Sequence, residues 1–212
     1  MIPTPEQPAA GRKVLLIACG AIARELVRIR TVNGWDHVAI QCLPADLHNR
    51  PERIPAAVRA KIEANRDAFE RIFVAYADCG TGGLLDKVLA EYDVERIPGA
   101  HCYEFFAGSE LFHRLADAEP GSFYLTDFLV RHFDRLIVQG LGLDRLPHLM
   151  PVYFGNYRRL VYLAQTGTEE LQRMARGHAD YLGLEYHYHC PGDGPLSLVL
   201  KPQLERVQTC RN

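Results

Sequence analysis

Four cysteines, Cys19, Cys42, Cys79 and Cys102, stand at or near the ends of successive apolar runs. Two have a histidine close by: His48 follows Cys42 by six residues, and His101 directly precedes Cys102. Thiolates and imidazoles are the donors that suit zinc or an iron–sulfur cluster. Four of them close a tetrahedral site, and three leave a position open for substrate. A thiolate is also a nucleophile when its surroundings favour the charged form. The plain alternative is core packing, because free Cys is among the most buried residue types. The chain has no paired C-x-x-C knuckle, so any site must be assembled from distant segments, as in a buried enzyme site.

The third of these cysteines opens a glycine loop, Cys79-Gly80-Thr81-Gly82-Gly83. A Walker-type phosphate loop needs a Lys after its last Gly, and here Leu84 and Leu85 follow. A dinucleotide fingerprint needs Gly or Ala where Leu85 stands. A cysteine phosphate loop closed by Arg is missing too, because only four residues separate Cys19 from Arg24. The small residues at 80–83 still admit close backbone approach, and their N–H groups are expected to receive a substrate's anionic group. Asp78, just before the loop, either orients it or caps the following helix.

These residues need elements to position them. KVLLIACG, HVAIQCLP, RIFVAYADC and a short, proline-marked ERIPGAHCY read as strands, with helical spacing in AIARELVRIRTVNG, PERIPAAVRAKIEANRDAFE and GLLDKVLAEYDV between them. Apolar strands alternating with helices give a mainly parallel sheet with helices on both faces, an α/β fold. The carboxyl ends of parallel strands share one edge, where ligands bind. Topology therefore aims Cys19, the Cys42/His48 loop, Cys79 and the His101-Cys102 pair at one crevice.

The second half is less regular. TDFLVRHFDRLIVQGLG is helical with Thr126 at its N-cap, RRLVYLAQ is a strand, and Thr166 and Glu169 have capping-box spacing ahead of another helix. VYLAQTGTEEL faintly echoes AYADCGTGGLL. The expectation is an α/β domain over residues 13–205, either as one piece or as βα lobes 13–120 and 121–205 around one cleft. A lead (1–12) and a tail (206–212) flank it.

Composition sets limits. A formal charge of −2 over 212 residues gives no footprint for nucleic acid. No apolar run approaches the roughly 18 residues of a membrane helix. The opening MIPTPEQPAAGRK has no apolar signal core, and six cysteines without one indicate a reducing, cytoplasmic setting.

Several stretches, IACGAIARE, LPADLHNRPERIP, YADCGTGG, HCYEFFAG, EPGSFYLTDFLVRHFD and YFGNYRRLVYLAQ, resemble the domain-of-unknown-function family 1638 over nearly the whole chain. The resemblance implies that the functional set is Cys19, His48, Cys79 and Cys102, without Cys42. Family members stand beside corrinoid-dependent methyltransferases, which implies a pathway but no established activity.

The functional expectation joins both lines. A thiolate-rich site holds zinc, or alternatively an iron–sulfur cluster, through Cys19, His48, Cys79 and Cys102. It binds a small substrate or thiol at Gly80, Thr81, Gly82 and Gly83, with His101 and Glu104 as candidate catalytic groups, in one-carbon or corrinoid-dependent methyl transfer. A corrinoid protein or methyltransferase is the expected partner. The rival readings are an accessory protein that delivers or repairs a cofactor, a metal-free cysteine enzyme activated at Cys79, and a nucleotide-binding module. Outside this set, His187, His189 and Cys190 fit a polar strand face, His132 and Asp134 a solvated helix, and Tyr153, Phe154 and Tyr157 packing.

Overall fold

Val14–Cys19 (β1) is the central strand of the amino-terminal half, and its composition explains why. Val14, Leu15, Leu16, Ile17 and Ala18 are all buried, as a parallel strand covered on both faces requires. In the computed structural model, which describes residues 14–205, it pairs in parallel with Val38–Leu43 (β2) on one side and Arg71–Ala75 (β3) on the other. Glu95–Arg96 (β4) adds a two-residue edge to β3. The order is β2-β1-β3-β4. The chain leaves β1 toward β2 and then returns past β1 to β3, so the strand order reverses between β1 and β3. Open α/β sheets bind ligands at such a switch point.

Helices Ala23–Val32 (α1), Ile54–Asn65 (α2) and Leu84–Ala90 (α3) follow the first three strands. Ile54, Val58 and Ile62 of α2 and Leu85 and Leu89 of α3 pack with Leu15, Ile17 and Val74 on one face. Leu16 and Phe73, on the other face, are equally buried. Gly20 shows how tightly the strand ends meet. A Cβ there would lie 2.9 Å from the carbonyl oxygen of Leu43.

The structure divides into two units. One comprises residues 14–102 with 197–205, and the other residues 103–196. The second unit has its own parallel sheet, β5-β6-β7, formed by Ser122–Thr126, Arg159–Leu163 and Glu185–His189. Leu160 and Tyr162 of β6 face one core cluster, and Val161 and Leu163 face another. The remaining helices along the chain are Cys102–Ala107 (α4), Ser109–Ala118 (α5), Asp127–Arg131 (α6), Met150–Phe154 (α7), Glu169–Leu182 (α8) and Gly194–Glu205 (α9), the last lying mostly in the first unit. The α/β class with parallel sheets is as the apolar runs indicate.

Two local expectations change. Cys102 does not end a strand. The fourth strand stops at Arg96, since Pro98 and Gly99 interrupt it, and Cys102 begins α4. The cap of α8 is Thr168, whose hydroxyl accepts from Leu171 N–H, whereas Thr166 turns its hydroxyl and amide to Asp127. Thr126 caps α6 as expected, accepting from Leu129 N–H. The expected lead and tail lie outside the described residues.

Candidate functional site

Cys79 is held in a conformation that its side chain opposes. Its φ is +51°, in the left-handed region, and only Asp93 shares this among the described non-glycine residues. Such a conformation costs an L-residue about 1–2 kcal/mol, and it persists only where surrounding bonds determine it. Those bonds are visible. Asp78 N–H donates to Gly99 O at 3.0 Å, and Cys79 N–H donates to Ala100 O at 2.8 Å. The segment leaving β3 is thereby laced to the segment leaving β4, although the strand itself has ended.

Asp78 fixes the other side of the loop. Its carboxylate accepts from Gly83 N–H (2.8 Å), Gly82 N–H (3.1 Å) and the Thr81 hydroxyl (2.7 Å). The Gly83 amide, foremost among these donors, holds its pKa below the ordinary carboxylate value. The amides of Gly82 and Gly83, expected to meet an outside anion, are therefore turned to an internal carboxylate. Asp78 orients the loop, and the N-cap position of α3 falls to Gly83.

Arg96 fastens the other segment. Its guanidinium donates to Ile97 O (2.8 Å) and Gly99 O (3.3 Å), and it pairs with Asp86 on α3 at 2.6 and 2.9 Å. The loop carrying Cys102 is thus tied to the helix that follows the Cys79 loop.

These two fixed segments bring the sulfurs together. The thiol and the backbone N–H of Cys102 both donate to the sulfur of Cys79. The Cys102 thiol lowers the Cys79 pKa, and the same bond, with burial, raises that of Cys102. These donors favour the charged form of Cys79 over that of Cys102.

Cys19 lies at the neighbouring strand end, within electrostatic reach of both Cys79 and Cys102. Its sulfur accepts from Ala21 N–H at 3.4 Å, capping a 3-10 turn over Gly20–Ile22. Burial pushes its thiol up to about 11, and does the same to Cys42, where Lys61 opposes the shift. Tyr76, three residues before Cys79, is buried at 3% exposure. Its hydroxyl stands beside the Cys19 sulfur and has no hydrogen-bond partner by geometry among the described residues.

The remaining expected residues divide. His48 sits in a 3-10 turn over Ala45–Asn49 after β2; burial lowers its pKa, and His101 adds to this. Pro51 of that connection packs at Gly80, 3.5 Å from where a Cβ would stand. Cys19, His48, Cys79, His101 and Cys102 thus all belong to one unit. Glu104 belongs to the other, where it meets Ser109 (3.0 Å) and His113 (3.7 Å). Thiols and imidazole suit zinc chemically, but among the described residues no three His, Cys, Asp or Glu side chains stand in an arrangement that could hold a metal ion. A groove lined by Arg66, Phe69, Arg71, Tyr92 and Glu95 lies at the amino-terminal end of β3. It is far along the strand from the thiols, and its Arg71 and Glu95 are ion-paired at 2.7 Å.

Sequence reasoning passed over Tyr76 and Arg96. The signal for Tyr76 was a polar-tipped residue ending an otherwise apolar run, and for Arg96 an isolated cation at a strand end. The second unit has a buried polar centre of its own. Asp127 is wholly buried, and its carboxylate accepts from Tyr162 OH (2.7 Å), Gln165 N–H (2.9 Å) and Thr166 N–H (3.0 Å). With its oxygens filled, it ties β5 to the loop after β6. Phe154 and Tyr157 pack on Phe123 at 5.2 and 5.6 Å, so their role is packing.

No helix among the described residues is long and apolar enough to cross a membrane. No curated protein and no solved structure matches the chain. A family model described as "Protein of unknown function (DUF1638)" matches residues 42–193, which takes in Cys42, His48, Cys79, His101 and Cys102 and leaves Cys19 outside. The chain belongs to the DUF1638 family.

Proposed function

We propose that the first unit is a thiol site in which Cys79 is the nucleophile toward a small, soft electrophile. The observation that carries this is the sulfur of Cys79, held on a strained turn beside the switch point and receiving both the thiol and the amide of Cys102. Partial positive charge directed at a sulfur is what makes a cysteine reactive. Cys102 serves as the donor that keeps Cys79 charged, and Arg96 and Asp78 position the two segments. The resemblance to a family found beside corrinoid-dependent methyltransferases puts a methyl group first among the electrophiles to try. In that step Cys79 Sγ bonds to the methyl carbon while the carrier–carbon bond breaks, and the carrier leaves with the electron pair.

A limiting amount of iodoacetamide, followed by peptide mapping, tests this reading on the full chain. Cys79 should be labelled first, ahead of the exposed Cys190. Labelling of Cys190 first, with Cys79 no faster than in unfolded chain, sinks the proposal.

A second reading, a thiophilic ion such as zinc, is favoured by one observation: Cys19 lies near the Cys79–Cys102 pair with the unsatisfied Tyr76 hydroxyl beside it. The donors would be those thiols with His48, and the ion would act as a Lewis acid. Anaerobic purification and metal analysis separate the readings. About one metal ion per chain, lost in Cys79→Ser, would support the metal site. Metal-free protein with a fast Cys79 would support the thiol site.

A further inference from the structure

We infer that Cys79 and Cys102 form a dithiol that exchanges with small-molecule disulfides, Cys79 attacking and Cys102 resolving. This rests on the reading of Cys79 as the nucleophile and adds a substrate class to it.

Three features carry the inference. First, the segments carrying the two cysteines are paired at Cys79 N–H to Ala100 O (2.8 Å), and each cysteine is the other's foremost side-chain partner, so closing the bridge needs little chain movement. A pair whose backbones stood far apart could not be bridged without such movement. Second, the spacing is set by the pairing of the two backbone segments, with one side chain clamping it. Asp78 N–H to Gly99 O and Cys79 N–H to Ala100 O align the two segments, and Arg96 holds the second through Ile97 O and Gly99 O. Third, the two thiols are unlike. Cys79 stands on a left-handed turn at the head of a glycine loop whose Gly80 and Gly82 are exposed, while Cys102 is the first residue of a helix. An attacking thiol and a resolving thiol need that asymmetry.

The step balances as two exchanges. The Cys79 thiolate attacks one sulfur of RS–SR, forming Cys79–S–SR and releasing RS⁻. The Cys102 thiol then gives up its proton and attacks the Cys79 sulfur, forming the Cys79–Cys102 disulfide and releasing the second RS⁻. The protein loses two electrons and two protons, and RS–SR becomes two RSH. The reverse direction, with two small thiols as reductant, reopens the pair.

The test uses reduced full chain and oxidised glutathione as probe. Wild type should become lighter by two hydrogens with no glutathione retained, and mapping should place the bridge between Cys79 and Cys102. Cys102→Ser should accumulate one glutathione on Cys79. Should Cys102→Ser fold poorly, Cys102→Ala serves the same purpose at a slower rate, since each lacks the resolving sulfur and alanine lacks the donor as well. Cys79→Ser should slow the consumption of the probe by more than about tenfold. A wild type that holds a stable mixed disulfide at Cys79 without closing, or that bridges Cys79 to Cys19, overturns the inference. Iodoacetamide labelling keeps the two claims apart. Fast labelling of Cys79 with no bridge refutes the dithiol and leaves the nucleophile standing, whereas slow labelling refutes both.

Discussion

Cys102 gives both its thiol and its backbone N–H to the sulfur of Cys79, although 22 positions separate them in the chain (102 − 79 − 1). Two elements that are hardly strands achieve this. The residues after β3 and β4 continue to pair through Asp78 and Cys79 after the sheet has ended. The contact is therefore a property of the loops at the carboxyl edge, and variants of those loops test it most cheaply.

The left-handed conformation of Cys79 gives the first prediction. Glycine is free to adopt that region and alanine is not. Cys79→Gly should be more stable than Cys79→Ala by about 1 kcal/mol, which is roughly 2–4 °C in Tm at this chain length. Thermal melts of the two variants decide it. An alanine variant that equals or exceeds the glycine variant means that the turn is not strained.

Asp78 gives a prediction in pH. Its pKa is lower folded than unfolded, chiefly through the Gly83 amide. The stability it contributes is therefore present above the unfolded value of about 3.9 and is lost as pH falls through the folded value. Asp78→Asn carries no charge to titrate. Wild type should exceed it in urea midpoint near neutrality, and the two should converge as pH drops from about 5 toward about 2. A gap that stays constant across that range would show that the carboxylate charge is irrelevant to the loop.

Arg96 should act on Cys102 at a distance. Arg96→Met keeps most of the side-chain length but loses the bonds to Ile97 O, Gly99 O and Asp86. The expected result is a loss of about 1–2 kcal/mol together with faster alkylation of Cys102, as the loop 97–101 loosens. Unchanged protection of Cys102 would mean that the backbone pairing at Gly99 and Ala100 suffices without the clamp.

Much of this edge was legible in the sequence because buried parallel strands are written in runs such as VLLIAC and RIFVA. A cysteine after such a run must lie at the carboxyl edge, and this places Cys19 and Cys79. For Cys102 the sequence points to the right edge through the wrong element. IPGAHC reads as a strand end, but Pro98 and Gly99 stop the strand, and the cysteine arrives at the edge as the first residue of a helix. The role of Asp78 was half visible, since an Asx residue before glycines orients a turn. That its carboxylate takes up the Gly82 and Gly83 amides depends on the left-handed φ of Gly80, Gly82 and Gly83, which a sequence permits but does not specify. Tyr76 was hidden within an apolar run, where a tyrosine reads as core. SFYLT, the strand β5, carries little strand signal because Ser122 and Thr126 at its ends mask a three-residue apolar centre.

The central claim is that Cys102 keeps the charge on Cys79, and one measurement bears on it most directly. The pH dependence of Cys79 alkylation, followed by residue-resolved mass spectrometry, should be recorded for wild type and for Cys102→Ala. The wild-type midpoint should lie below the ordinary cysteine value of about 8.5. In Cys102→Ala it should move upward, with the rate near neutral pH falling on the order of tenfold, as expected for a hydrogen bond to a charged group contributing about 1.5 kcal/mol. A wild-type midpoint at or above the ordinary value, or one that Cys102→Ala leaves in place, would contradict the account.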